Sequence, residues 1–136
     1  MIKSLEIRNY ALIDTLSIQF DKGFTIITGE TGAGKSIMLG AISLLMGQRA
    51  DVAVIRDKSQ KCTVEAIFDI SNYNLNNLFE QNQVDYFDTT IIRREILPDG
   101  RSRAFINDAP VNLSTLKDIS EYIIDIHSQH ETLKLN

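Results

Sequence analysis

The chain has 136 residues, of which 43% are hydrophobic and 24% charged, and its formal net charge is −4. These values describe an ordinary globular chain of one domain and exclude a disordered tail, a collagen-like fibre and a disulfide scaffold. An acidic balance also argues against a module that holds nucleic acid by bulk charge, so any DNA contact must come from a local basic patch.

The first residues, Met1-Ile2-Lys3-Ser4-Leu5-Glu6-Ile7-Arg8, alternate apolar with polar and carry charge throughout, which is not a signal peptide. No apolar run approaches the roughly 18 residues that a membrane span needs. Ile2, Leu5 and Ile7 begin a strand, and 12–20 continues as a second with Leu16, Ile18 and Phe20 on one face. Asp21-Lys22-Gly23 is a turn signal leading into 24–28, a short apolar run of the buried-strand kind. A glycine-rich segment, 29–36, follows at once. After it Ile37, Met38, Ala41, Ile42, Leu44 and Leu45 keep helical spacing as far as Gly47, which reads as a helix stop.

Cys62, Val64, Ala66, Phe68 and Ile70 alternate with Thr63, Glu65, Ile67 and Asp69, which predicts a strand. Residues 74–81 read as a short helix. The stretches 89–97 and 103–106 read as two strands joined by Pro98-Asp99-Gly100, with Pro and Gly where a hairpin turn needs them. Ser114 is expected to cap a helix running to about Tyr122. Ile123-Ile124-Asp125-Ile126 reads as a short buried strand ending in His127-Ser128-Gln129-His130-Glu131. Residues 132–136 show no closing element, so the chain is expected to stop short of a complete unit. The single cysteine, Cys62, has no partner for a disulfide within the chain, which fits a reducing, cytoplasmic setting. With no base beside it in sequence, it reads as a packed strand residue.

The chemistry lies in Gly29-x-x-x-x-Gly34-Lys35-Ser36, a complete P-loop pattern between a predicted strand and a predicted helix. A loop that wraps phosphates must bring backbone N–H groups up to oxygen, and side chains at Gly32 or Gly34 would obstruct that approach. The helix beginning near Lys35 aims its positive end at the same oxygens. Lys35 supplies a mobile cation for the β- and γ-phosphates, and the Ser36 hydroxyl is a hard oxygen donor suited to Mg²⁺. The nucleotide-binding set is Gly29, Glu30, Thr31, Gly32, Ala33, Gly34, Lys35, Ser36 and Ile37, with ATP and Mg²⁺ as its expected occupants. Hydrolysis also needs a carboxylate at the end of a neighbouring apolar strand, and Asp125 is the one candidate in the sequence.

Several stretches closely resemble the ATPase heads of SMC-like DNA repair proteins, a branch of the ABC-type ATPases. They are Ser4-Leu5-Glu6-Ile7-Arg8-Asn9-Tyr10-Ala11-Leu12-Ile13-Asp14, the P-loop with Thr28, Gly47-Gln48-Arg49-Ala50-Asp51, Asp99-Gly100-Arg101-Ser102-Arg103-Ala104-Phe105-Ile106-Asn107, and Asp125-Ile126-His127-Ser128-Gln129-His130-Glu131. They span nearly the whole chain. The resemblance implies an α/β fold of the P-loop NTPase class, an ABC/SMC-type head with a mixed sheet and an antiparallel β-hairpin subdomain. Residues 1–136 would be its N-terminal half, from P-loop to Q-loop, with the coiled coil and the C-terminal half outside this chain. Gln129 would then be the Q-loop glutamine, offering its carbonyl to Mg²⁺ and the attacking water, and Asp125 a strand residue leading into that loop. The implied function is ATP-driven head dimerisation that gates DNA in double-strand break repair. The implied partners are the C-terminal half of the same protein, a second copy through ATP-bound heads, and DNA ends or single-stranded regions. The implied place is the nucleoid, with no membrane. In many such heads a basic residue follows the aromatic after the first strand, whereas here Ala11 follows Tyr10, so that phosphate contact is not carried over.

Other readings compete. A self-sufficient small P-loop NTPase or nucleotide kinase would use Asp125 as its own Mg²⁺ acid, though no arginine-rich lid follows. A nucleotide-dependent switch without DNA is the third. Arg49 reads as a solvated arginine ahead of a nucleotide or DNA contact. Arg93, Arg94, Arg101 and Arg103 could meet DNA phosphates from the predicted hairpin. The reading favoured for them is a charged, exposed hairpin with Glu95 and Asp99 as partners. His127 and His130 lack the third ligand that zinc requires.

Overall fold

The computed structural model describes residues 1–20 and 32–124. Among these residues six strands make one sheet: β1 (Ile2–Tyr10), β2 (Ile13–Gln19), β3 (Cys62–Asp69), β4 (Thr89–Ile96), β5 (Ser102–Ile106) and β6 (Ala109–Val111), in the order β2-β1-β3-β4-β5-β6. Every pairing among the described residues is antiparallel. The expected run 24–28 and the stretch from Asp125 to Glu131 lie outside the described residues.

Alternation decides which face is which. Leu5 and Ile7 of β1 pair with Ile18 and Leu16 of β2 and with Ala66 and Val64 of β3, so one face is continuously apolar. Cys62, Val64, Ala66 and Phe68 continue that face, then Ile92 and Ile96, then Ala104 and Ile106, all buried. The opposite face carries the row Glu6, Glu65, Arg93 and Phe105, each directly opposite the next. There Arg93 stacks over the Phe105 ring at 4.2 Å and pairs with Glu65 and Asp108, a salt-bridged face suited to water.

Among the described residues three α-helices join the sheet: α1 (Gly32–Leu45), α2 (Asn76–Gln81) and α3 (Leu113–Ile123). Against β3 and β4, α1 buries Met38, Ala41, Ile42 and Leu45. From the neighbouring position over β5, α3 adds Leu116, Ile119 and Ile123 to the same core.

The sequence reading needs correcting at two places. Asn112, not Ser114, caps α3: its backbone is extended, and its side-chain oxygen accepts the Thr115 N–H at 2.8 Å. Ser114 is already the second helical residue and stands exposed. Ile123, expected to open a strand, is the last residue of α3, because Leu116, Ile119, Ser120 and Ile123 are buried at helical spacing. One strand was not expected: β6 turns back from β5 through Asn107 and Asp108, whose φ values of 53° and 68° are those of a two-residue hairpin loop.

Candidate nucleotide site

The first turns of α1 contain the second half of the P-loop pattern. Gly32 and Ala33 open the helix, Gly34, Lys35 and Ser36 stand exposed, Ile37 is half-buried and Met38 enters the core. The helix therefore changes character along its length, polar and open at its start and apolar from Ile37 onward. At a helix start the backbone N–H groups lack intrahelical acceptors and the helix dipole is positive, which favours anions. Gly29, Glu30, Thr31, Asp125 and Gln129 lie outside the described residues, as do His127 and His130. Among the described residues no cluster of His, Cys, Asp or Glu has a metal-binding arrangement.

Three contacts fix α1 on the sheet. At mid-helix the Tyr10 hydroxyl occupies the space that a side chain at Gly40 would fill. Tyr10 is buried, and that burial raises its phenol above the ordinary value, with Cys62 adding to the effect. At the far end the helix stops in a left-handed turn. Gly47 has φ +91°, its N–H bonds Leu44 O at 3.2 Å, and Gln48 N–H bonds Ser43 O at 3.2 Å. A Cβ on Gly47 would also meet Lys117 of α3 at 2.5 Å.

The third contact is Arg94, which is 1% exposed among isoleucines on the apolar face of β4. Its Nη1 donates to Leu44 O and to Gln48 O, both at 2.8 Å, and its Nη2 donates to Ser102 Oγ at 3.2 Å. Removal from water pushes its pKa below the usual guanidinium value. Arg94 is thus sealed inside the molecule and unavailable to DNA, unlike its neighbours on the hairpin. Arg101 pairs with Asp99 at 2.8 Å, and Arg103 reaches Glu95 at 3.8 Å, the two partners expected for a solvated hairpin.

A second polar anchor holds the sheet end nearest the β1–β2 turn. Asn9, at φ 56°, donates through Nδ2 to Asp57 O, Gln60 O and Lys61 O at 3.0, 3.2 and 3.1 Å. Its Oδ1 accepts the Asp57 N–H at 2.7 Å. Ala11 N–H bonds Val54 O at 2.6 Å, so the turn and the 51–61 segment are stitched together. Arg49, exposed, follows Gln48 at the C-terminal end of α1. A helix of 14 residues spans roughly 20 Å, so Arg49 and Lys35 stand at opposite ends. The sequence did not single out Asn9, and it set Arg94 on an exposed hairpin, which burial at 1% exposure corrects. Nothing in the sequence pointed to the first, but alternation in Ile92-x-Arg94-x-Ile96 could have placed the second on an apolar face.

A P-loop sequence running into α1, with that helix seated on a sheet whose described strands all pair antiparallel, fits the fold class of SMC-type ATPase heads. Residues 1–127 match the family model described as the RecF/RecN/SMC N terminal domain, and the chain belongs to that family. More particularly, it is 43% identical over 131 residues to the DNA repair protein RecN of Vibrio cholerae, covering 96% of this chain and 24% of that relative. The chain therefore spans about a quarter of the length of the curated relatives it matches. Among solved structures, the Smc head domain with a coiled coil and joint from Pyrococcus yayanosii superposes with a TM-score of 0.69 at 25% identity, covering 99% of this chain and 28% of that one. A second, titled for the ATP-driven dimerization and DNA stimulated activation of SMC ATPases, has a TM-score of 0.66 at 27% identity, covering 89% of this chain and 78% of that one.

Proposed function

We propose that this chain is the ATP-binding N-terminal half of an ATPase head that acts in repair of DNA double-strand breaks. The observation carrying the reading is the start of α1, where Gly34, Lys35 and Ser36 stand exposed on a helix whose other end is anchored in the sheet. A polyphosphate fits that end chemically. Lys35 is a cation for the β- and γ-phosphates, the residues from Gly29 to Gly34 offer backbone N–H groups, and Ser36 offers the oxygen that Mg²⁺ prefers. Mg²⁺, when bound, would neutralise charge on the phosphate oxygens. Gln129 is assigned the Q-loop role, presenting its carbonyl toward Mg²⁺ and the attacking water. Completion of the site then falls to the C-terminal half of the same protein and to a second ATP-bound head. The proposed location is the cytoplasm, at the nucleoid. No described helix is long and apolar enough to cross a membrane.

DNA contact is proposed at one end of the sheet. The register sets Arg8 opposite Thr63, Thr63 opposite Glu95 and Glu95 opposite Arg103, so these residues share an end with Lys58, Lys61 and Arg101. Each of these basic side chains is exposed. Such a rim offers local phosphate contacts that the net charge alone would not suggest.

Phosphate release from MgATP tests the reading, measured for the 136-residue chain and for the full-length protein with Lys35→Ala as the blank. The expected result is turnover in the full-length protein, abolished by Lys35→Ala, and none above blank in the folded shorter chain. Lys35-dependent turnover by the shorter chain alone would overturn the half-head reading and make Asp125 the metal acid.

A further inference from the structure

We propose that Arg94 is a positioning residue for the nucleotide site, acting from the far end of α1. It rests on the nucleotide-binding reading above. One guanidinium grips the helix on both sides of its closing turn, at Leu44 O and Gln48 O, and holds the β4–β5 hairpin through Ser102. It thereby sets the tilt and rotation at which the other end presents Lys35 and Ser36.

Ending the helix does not require Arg94. Gly47 already closes α1 with its own pair of backbone hydrogen bonds. Filling the space does not require it either, since Ile92 and Ile96 on the same face show what the core accepts there. A buried guanidinium carries a desolvation cost that an apolar residue of similar volume would not. What the charge adds is direction: a planar fork bonds fixed oxygens at fixed angles, whereas apolar contacts let a helix slide and roll.

Geometry makes that direction matter. An α-helix is stiff and rises 1.5 Å per residue, so α1 behaves as a lever resting on the Tyr10–Gly40 contact. Releasing the Arg94 end enough to tilt the helix by about 10° would carry Lys35 about 1 Å from its place. A displacement of that size is enough to lower a rate about a hundredfold when reacting groups must align. The hairpin joins the same construction, because Ser102 lies between the exposed Arg101 and Arg103 on the strand that holds the fork.

The test uses the full-length protein with four substitutions: Arg94→Met, Arg94→Lys, Ser102→Ala and, as a stability control, Phe79→Leu. Phe79 is fully buried but packs on Tyr86, at 5.3 Å between ring centroids, away from α1. Affinity for a fluorescent ATP analogue with Mg²⁺, and the KM and kcat for ATP, are read where each variant is folded by circular dichroism. Arg94→Met is expected to weaken nucleotide binding about tenfold, with Arg94→Lys between it and wild type. Phe79→Leu is expected to stay within about twofold of wild type even where its unfolding midpoint falls as far. If Arg94→Met does not fold, Arg94→Lys and Ser102→Ala carry the test with the same sign and about threefold effects. Wild-type binding with unchanged affinity in the Arg94 and Ser102 variants overturns the proposal alone. So does a loss that Phe79→Leu matches. Failure of the wild type to bind MgATP overturns the nucleotide reading, and this proposal with it.

Discussion

The two ends of α1 are built on opposite principles. At its start the helix shows Gly34, Lys35 and Ser36 to solvent, while its finish is closed by Gly47, Arg94 and a close approach of α3. One end is exposed and the other is over-determined by the protein. A helix that must hold an anion steadily cannot be fixed by the anion alone, because the site has to exist before the ligand arrives. On the proposed nucleotide reading, the molecule places its strongest internal anchors at the end away from the phosphates.

Substitutions separate the two ends. The largest effect is expected at the open end, where Lys35→Ala should reduce MgATP turnover of the full-length protein on the order of a hundredfold or more. Its urea unfolding midpoint should stay unchanged, and a clear drop would mean that Lys35 also holds the fold. At the middle support, Gly40→Ala drives a methyl into the Tyr10 hydroxyl and should cost about 1–3 kcal/mol in denaturant titration. Gly47→Ala, at the closed end, forces an alanine to φ +91° against Lys117 and should cost about 1–2 kcal/mol. Wild-type stability in that variant would show that α1 does not depend on its closing turn.

A smaller contrast concerns the element that backs the closed end. Asn112→Ala should destabilise by about 1 kcal/mol and Ser114→Ala by much less, because the first removes the cap and the second an exposed hydroxyl. Equal losses would restore Ser114 as the cap. A contrast that shows only at high pH concerns Cys62, whose thiol is pushed up to about 11 by burial from an ordinary value near 9. The unfolded thiol ionises first, so the native protein keeps this contribution below about pH 9 and loses it as pH rises towards 11. Midpoints measured across that window should fall for wild type more steeply than for Cys62→Ala.

Much of this architecture could be read from the chain. Period-two patterning located β3, and Pro98-Asp99-Gly100 located the β4–β5 turn, where Gly100 takes φ +97°. The P-loop pattern was legible because its spacing reports backbone needs directly, and of it the structure describes residues 32–36. Longer-range contacts decided what was missed. Strand β6 has three residues including Pro110, which lacks an N–H and reads as loop unless the strand is at an edge, as it is here. Asn112 and Ser114 are both good caps, and only the extended backbone leaving β6 selects the first. Ile123 joined a run that looked like a strand, but packing at helical spacing with Ile119 and Leu116 decided otherwise. Arg94 and Asn9 act on carbonyls far along the chain, and no local pattern encodes such partners.

The sheet order also has a consequence for synthesis. β1 lies between β2 and β3 in the sheet, yet α1 stands between β2 and β3 in the chain, and β3 begins only at Cys62. A chain made from its N-terminus completes α1 before any of β3, β4 or β5, the strands that seat it, has been translated. Its apolar stripe of Met38, Ala41, Ile42 and Leu45 must wait for that platform. The β4–β5–β6 hairpins close over short loops, whereas β1 meets β3 only across the long excursion, so the later strands are inferred to assemble first. Pulsed hydrogen exchange during refolding would then protect β4 and β5 before α1, and the opposite order would refute the inference. On the ribosome α1 is thus among the first elements made and among the last to be set in place.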